Sequence, residues 1–289
     1  MSTAVMTDSN SGISPQEAEQ IGIYSVNMPV IIDGKVFHEG VDITREEFFA
    51  AQEQGKDVTS SQPTPAQLLD VWNQLLEDYD EIIYIPMSSE LSNSCHISIG
   101  LAEDYDGKVQ VADNHRISIT MRRAVLDAIW MAKQGMSAKE IKNVLEKDAY
   151  NASIYIAVDT LEYLKKGGRV TAAGAALGTV LNVKPILTIQ GKKLDAFAKV
   201  RGMKKCETKI IESLKEDIQN RFGDVNPAKV EVAAAGTLED RESIDAWVKK
   251  VQENFPQSKV YYDPLSLSVA CHIGRGSLAA AVTILSSDE

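Results

Sequence analysis

Through about residue 150 the chain alternates short apolar runs with longer stretches whose apolar residues recur at helical spacing, and this alternation restricts the fold more than any other feature. EIIYIP, residues 81–86, is apolar at nearly every position, the pattern of a strand buried on both faces. KVQVAD, 108–113, reads as a second strand and AVMTD, 4–8, as a short one running into the polar turn SNSG. Between them lie predicted helices. Thr64, Pro65 and Gln67 form the start signal of PAQLLDVWNQLLEDY, whose Leu68, Leu69, Trp72, Leu75 and Leu76 repeat at helical spacing. Ser92 is the expected cap of the helix SNSCHISIGLAEDY and Ser118 that of ITMRRAVLDAIWMAKQG, while Ser137 and Glu140 open another helix ending near Lys147. Asp33-Gly34, between PVII and KVFH, predicts a hairpin. Strands alternating with helices predict βαβ units around a mainly parallel sheet.

Past Asn151 the rhythm changes. ASIYIAV is a predicted strand, TLEYLKKGG a short helix stopped by its glycines, and ILTIQGKKLDAFAKV two extended segments joined around Gln190-Gly191-Lys192. Helices are expected over about 203–220 and 238–254, with KVEVAAA, KVYYDP and AAAVTIL as strands. Hairpins mixed with helices predict a second α/β domain with a mixed sheet. The expected division is 1–150 and 151–289.

Composition narrows the function. The net charge of −11 argues against general nucleic-acid binding, and no helix-turn-helix is recognisable. No apolar run approaches the length of a membrane span, and the N-terminal residues lack a secretory signal's features. Cys95, Cys206 and Cys271 are odd in number and far apart, so neither a disulfide framework nor a metal site is indicated; a cytoplasmic location is expected. Charge is nonetheless uneven. Residues 160–215 hold twelve Lys or Arg against four Asp or Glu, a local +8 that leaves −19 on the remainder. That region is either a solvated basic face or an anion site for a ligand or an acidic partner.

Four segments carry candidate chemistry. MSSELSNS, 87–94, sets four serines directly behind a buried strand, where open α/β sheets bind ligands. Ser88, Ser89, Ser92 and Ser94 either cap the next helix or hold a carboxylate or phosphate, and the spacing leaves both open. TSSQPT, 59–64, is a second hydroxyl-rich helix entry, in which Ser60 and Ser61 are surplus to capping by Thr64. LEYLKKGGRV, 161–170, pairs glycines that permit close backbone approach with Arg169, a planar donor to carboxylates. His272-Ile273-Gly274-Arg275-Gly276 sets an imidazole beside glycines, a pattern open to a structural histidine as well as to a polar site. No nucleophile elbow, phosphate loop or dinucleotide fingerprint is present. A Ser92–His272–Asp113 arrangement, and with it a small serine esterase or phosphotransferase, remains an alternative that no spacing favours.

Taken in order, TDSNSGIS, SSQPTP, SSELSNS, VADNHRIS, LEYLKKGGRVTAAGAALGTVLNVKPIL, KVRGMKK and HIGRG resemble the segments of the DegV family of bacterial fatty-acid-binding proteins, nearly end to end. The resemblance implies two α/β domains sharing a long apolar pocket that buries one long-chain fatty acid. Its carboxylate would meet Ser60, Ser61 and Ser92, with Arg169, His272 and Arg275 near the head group. It further implies a carrier without a cofactor, which presents the carboxyl group to a separate fatty-acid kinase and takes the acyl phosphate toward phospholipid synthesis, with transient contact at the membrane surface. The sequence departs from the family's pattern at Ser60, usually Thr; at Asn93-Ser94, usually Gly-Thr; at Asn114, usually Ser; and at Arg275, usually Pro. Asn93 is expected to keep the turn by tolerating positive φ, and Arg275 to add a cation near the head group.

Overall fold

The computed structural model describes residues 2–177 and 183–287, so residues 178–182 of the long glycine-containing segment lie outside the described residues. Strand β1 (Thr3–Asp8) runs into a 3-10 turn at Ser9–Ser11, and α1 (Pro15–Ile21) starts at Ser14, whose hydroxyl accepts from the Glu17 amide. After β2 (Tyr24–Val26) comes the hairpin of β3 (Val30–Ile32) and β4 (Lys35–Phe37). Asp33 and Gly34 at its tip have φ of 49° and 79°, the pair of left-handed residues such a two-residue loop requires. Next are α2 (Arg45–Glu53), β5 (Val58–Ser60) and α3 (Pro65–Asp78), the last opened by a complete Thr64–Gln67 capping box. β6 (Glu81–Ile85), α4 (Ser94–Ala102), β7 (Val109–Val111), α5 (Ser118–Lys133) and α6 (Ala138–Lys147) follow, α6 carrying the Ser137–Glu140 box.

The first four-stranded sheet, β2-β1-β6-β7, is parallel throughout. Side chains alternate across it. Ile83 and Ile85 of β6 pack with α1, α5 and α6, while Ile82 and Tyr84 pack with α3 and α4, giving three α/β/α layers. β4-β3-β5 form a separate antiparallel sheet.

The second part comprises β8 (Ala152–Ala157), α7 (Glu162–Gly167), α8 (Ala172–Ala175), β9 (Val183–Ile189), β10 (Asp195–Arg201), α9 (Met203–Asn220), β11 (Val230–Gly236), α10 (Arg241–Asn254), β12 (Tyr262–Asp263), α11 (Leu267–Ile273) and β13 (Leu278–Ile284). Its sheet, β10-β9-β8-β13-β11-β12, is mixed: β11 and β12 are parallel and the other pairs antiparallel. The fold is therefore the expected α/β arrangement, one parallel sheet followed by one mixed sheet. All strands of the first sheet precede residue 112 and all of the mixed sheet follow 151.

The faces of the mixed sheet differ in use. Tyr155, Val232, Ala234, Ala280 and Val282 pack under α9 and α10, where Trp247 donates its indole N–H to the Ala279 carbonyl. The opposite face, with Ile154, Ile156, Ala233, Ala235, Ala279 and Ala281, turns to the first part of the chain. Ala235 pairs with Ala279 and Ala233 with Ala281, so the middle of that face is lined by methyl groups and leaves room in front of it.

Two helix starts differ from expectation. Ile117 precedes α5 at the cap position and Ser118 is already helical in sequence terms but has φ of 54°; its hydroxyl is used 2.6 Å from Asp263 across the interface. At α4 the cap position is Asn93, which makes no side-chain bond, while Ser92 accepts from the Ser94 amide at 3.2 Å. Asn93 sits at φ −72°, so no positive φ is asked of it. β2, β5, α2, α8 and α11 went unanticipated, since three-residue strands and a four-residue helix show no period and LSVACHI offers little amphipathic contrast. Among the described residues no helix is long and apolar enough to cross a membrane.

Candidate functional site

The carboxyl ends of three parallel strands and the methyl-lined face of the mixed sheet enclose a cavity of about 440 Å³. Asn10 follows β1, Met87, Leu91 and Ser92 follow β6, and Ile117 to Ile119 follow β7. The position is that expected of a ligand site in an open α/β sheet. Opposite stand Ile154 and Ile156 of β8, Ile189 of β9, Ala235 and Ala279. Most of the wall is aliphatic, and one group of polar side chains gathers where β5 and its following loop meet α7 and α11.

Ser60, Ser61, Ser92, Arg169 and His272 all line this one cavity. β5 carries Ser60 to within 2.9 Å of His272 Nε2 on α11. α11 is held there by the β3-β4-β5 sheet and α2: Leu267, Ala270 and Cys271 pack with Val30, Phe48 and Val58. Ser61 donates to the Gln62 carbonyl at 3.4 Å and is the most exposed of the three serines. Ser92 makes one local bond and also borders the cavity. One lone pair takes the Ser94 N–H, and the side chain borders the cavity with its proton uncommitted among the described residues.

The electrostatics favour an anion. Burial, and secondarily the Arg169 guanidinium, pushes the His272 imidazole down to about 4, so the ring is neutral at neutral pH. Arg169 donates to the carbonyls of Leu91, at 3.4 Å, and of Gly167, and it pairs with no carboxylate among the described residues. A half-buried cation without a counter-ion at the polar end of an apolar cavity favours a negatively charged group there.

Gly167 serves that geometry. A Cβ on it would lie 2.3 Å from His272 Nδ1, so only glycine lets α11 approach α7 this closely. Gly168, next in the chain, has φ of 67° and ends α7 in a left-handed turn.

Arg275 lies elsewhere. Its guanidinium is turned to Glu53 and Glu239 and does not border the cavity, which corrects the expectation of a cation near the head group. Gly274, with φ of 76°, turns the chain out of α11 just before it, and two exposed carboxylates compete for it there. The Ser92–His272–Asp113 grouping is not assembled either. His272 has Ser60 as its partner, while Asp113 Oδ1 accepts from the amides of Ser89 and His115. Within the basic segment, Lys166 is paired with Asp57 and Lys184 with Asp159, and Lys209 lies over the Phe197 ring.

Sequence reasoning passed over four polar residues in the wall, Asn10, Gln62, Ser118 and Ser268. SNSG after β1 was visible as a turn, and nothing local distinguishes a turn asparagine from one facing a cavity. Asp8 organises this end: its two oxygens accept from the amides of Asn10 and Met87, tying the turns after β1 and β6 together. Burial outweighs those bonds and raises its carboxyl to about 6.

Comparison with known proteins agrees with this architecture. The family model described as "Uncharacterised protein, DegV family" matches residues 2–284. A DegV domain-containing protein of Deinococcus radiodurans is 30% identical over 289 residues, which cover 99% of this chain and 100% of that relative. A DegV family protein from Thermus thermophilus, whose structure was described for fatty acid binding, superposes with a TM-score of 0.87 at 26% identity, covering 99% of this chain and 100% of that one. DegV, a fatty acid binding protein from Bacillus subtilis, superposes at 0.84 with 25% identity, covering 98% and 99%. The chain belongs to the DegV family.

Proposed function

We propose that this protein is a cytoplasmic fatty-acid carrier, in which residues 1–150 supply the hydroxyl turns, residues 151–289 supply the aliphatic wall, and one long-chain fatty acid lies between them without any further cofactor. The observation that carries the reading is Arg169, a cation with no acidic partner among the described residues, bordering a mostly aliphatic cavity of about 440 Å³. The likeness to DegV proteins described as binding fatty acids supports it. Burial of the chain would provide most of the affinity, at roughly 0.8 kcal/mol per methylene. The carboxylate must then find donors, since a buried unpaired charge is costly.

Ser60 is suited to that task. With Nε2 of the neutral His272 donating to Ser60 Oγ, the hydroxyl proton of Ser60 is directed to the ligand. Ser92 adds its proton, Ser61 borders the opening, and Arg169 supplies the charge. Chemistry then falls to a partner: a fatty-acid kinase phosphorylates the presented carboxyl group, and the carrier releases the acyl phosphate at a membrane surface for phospholipid synthesis. Exposed lysines of residues 160–215 suit an acidic kinase face or an anionic bilayer.

Native and denaturing mass spectra of freshly purified protein test the first part. A stoichiometric long-chain fatty acid, released only on denaturation, is expected. Protein that is empty and takes up no added fatty acid would refute the carrier reading. For the second part, loaded protein with ATP and a bacterial fatty-acid kinase should yield ADP and acyl phosphate, the latter trapped as hydroxamate; a bound fatty acid that is never phosphorylated would leave a binder without this partner.

A further inference from the structure

The cavity wall has a second polar patch, apart from the group around Arg169. Asn10 is 2% exposed and Ser268 is 6% exposed, and both border the cavity. Asn10 Oδ1 accepts from Ser266 Oγ at 2.9 Å and from Ser268 Oγ at 2.5 Å, and the two serine oxygens are 3.0 Å apart. Asn10 Nδ2 reaches only the thioether of Met87, at 2.9 Å.

These residues cannot satisfy one another. With the carboxamide in this orientation, both serine protons go to Oδ1, one amide proton meets a weak sulfur acceptor, and the other has no acceptor among the described residues. Turning the carboxamide over lets Nδ2 donate to both serine oxygens and one serine donate to the other. One hydroxyl proton is then left, and the carbonyl oxygen faces Met87 with no donor. In either arrangement a buried cluster at an aliphatic wall retains a donor with no oxygen to receive it. Buried polar groups in folded proteins are nearly always paired, so a partner is expected to come from the cavity.

Ser118 adds the complementary capacity. The 3-10 turn containing Asn10 packs against α5, the helix that Ser118 begins, and Ser118 borders the same cavity. Its proton is committed to Asp263 Oδ2 at 2.6 Å, which leaves its oxygen able to accept. A spare donor and a spare acceptor on one wall are what a hydroxyl group requires, since it accepts and donates at once.

Position along the chain follows from α11. Ser268 and His272 are four residues apart on that helix, about 6 Å of axial rise. We propose that the cavity selects a hydroxylated fatty acid, with the hydroxyl a few carbons from the carboxylate and held by Asn10 and Ser268. This rests on the carrier reading and deepens it, because an unsubstituted chain would set methylene groups against the unused donor.

The test is displacement of a fluorescent polyene fatty acid from the ligand-stripped full chain. Competitors are hexadecanoic acid and a series of hexadecanoic acids that each carry one hydroxyl, set successively farther from the carboxylate. One isomer, or two neighbours, should displace the probe about threefold to tenfold better than the parent acid, the size expected for one buried hydrogen bond. That ratio should fall to one or below in Asn10→Leu and in Ser268→Ala, each compared with the parent acid in the same variant. Should every isomer compete no better than the parent in the unaltered protein, the inference is overturned, whatever the variants do. The same holds if the preference survives in both variants. Failure of the parent acid itself to compete, with the probe also unbound, refutes the carrier reading and is a different result from a parent acid that binds while its hydroxylated relatives gain nothing.

Discussion

Gly167 on α7 and His272 on α11 approach so closely that a Cβ on Gly167 would sit 2.3 Å from the imidazole Nδ1. Alanine ordinarily favours a helix over glycine by about 1 kcal/mol. Here the sign should reverse for function: Gly167→Ala is expected to push His272 off Ser60 and weaken fatty-acid binding about tenfold or more. Isothermal titration against the unaltered protein measures this, and equal affinity in the two would mean that the imidazole has room to give way.

Two buried groups set opposing pH dependences. His272 is lowered by burial from 6.5 to about 4, so between these values the unfolded chain takes up a proton that the native protein refuses, and stability is lost as pH falls. Asp8 is raised by burial from 3.8 to about 6, so its contribution is fully present below 3.8 and is lost as pH rises through about 6. Between these limits the two contributions to the denaturant midpoint therefore oppose one another in the unaltered protein. Asp8→Asn should become more acid-sensitive, and His272→Gln should become more stable as pH falls. Identical pH profiles for all three proteins would show that neither group is shifted as described.

Arg169→Gln removes the cation without a counter-ion. Binding of an ionised fatty acid should weaken about tenfold or more, the order of a hydrogen bond to a charged group, while the matching fatty alcohol is much less affected. An equal loss for acid and alcohol would make Arg169 a packing residue. Ser92→Ala should show a mixed effect, weaker binding together with roughly 1 kcal/mol of lost stability from the orphaned Ser94 amide.

Arg275→Ala tests the correction at that position. Its partners Glu53 and Glu239 are partly exposed, so the stability change should stay within about 1 kcal/mol, and ligand retention should match the unaltered protein. Loss of retained fatty acid in this variant would return Arg275 to the head-group site.

What was legible beforehand follows the range of the interaction responsible. The Thr64–Gln67 and Ser137–Glu140 boxes span three residues each, and both formed as read. The Asp33-Gly34 hairpin is equally local. Ser118 misled because its hydroxyl answers to Asp263, 145 positions away, instead of to its own helix. Arg275 misled because proximity to His272 in the chain says nothing of direction once Gly274 turns the backbone.

By itself the sequence determined most of the longer strands and helices, the parallel-then-mixed sheets and the segments rich in hydroxyls, because periodicity, capping and turn chemistry act over a few residues. Tertiary structure alone decided which hydroxyls share a site. Ser60 and His272 are 212 positions apart and meet only because α11, unseen in the sequence, packs on the small antiparallel sheet. Alternation along β11 and β13 turned one set of alanines to a core and the other to open space, and whether a methyl-lined face is filled or left empty depends on what the rest of the chain places opposite it.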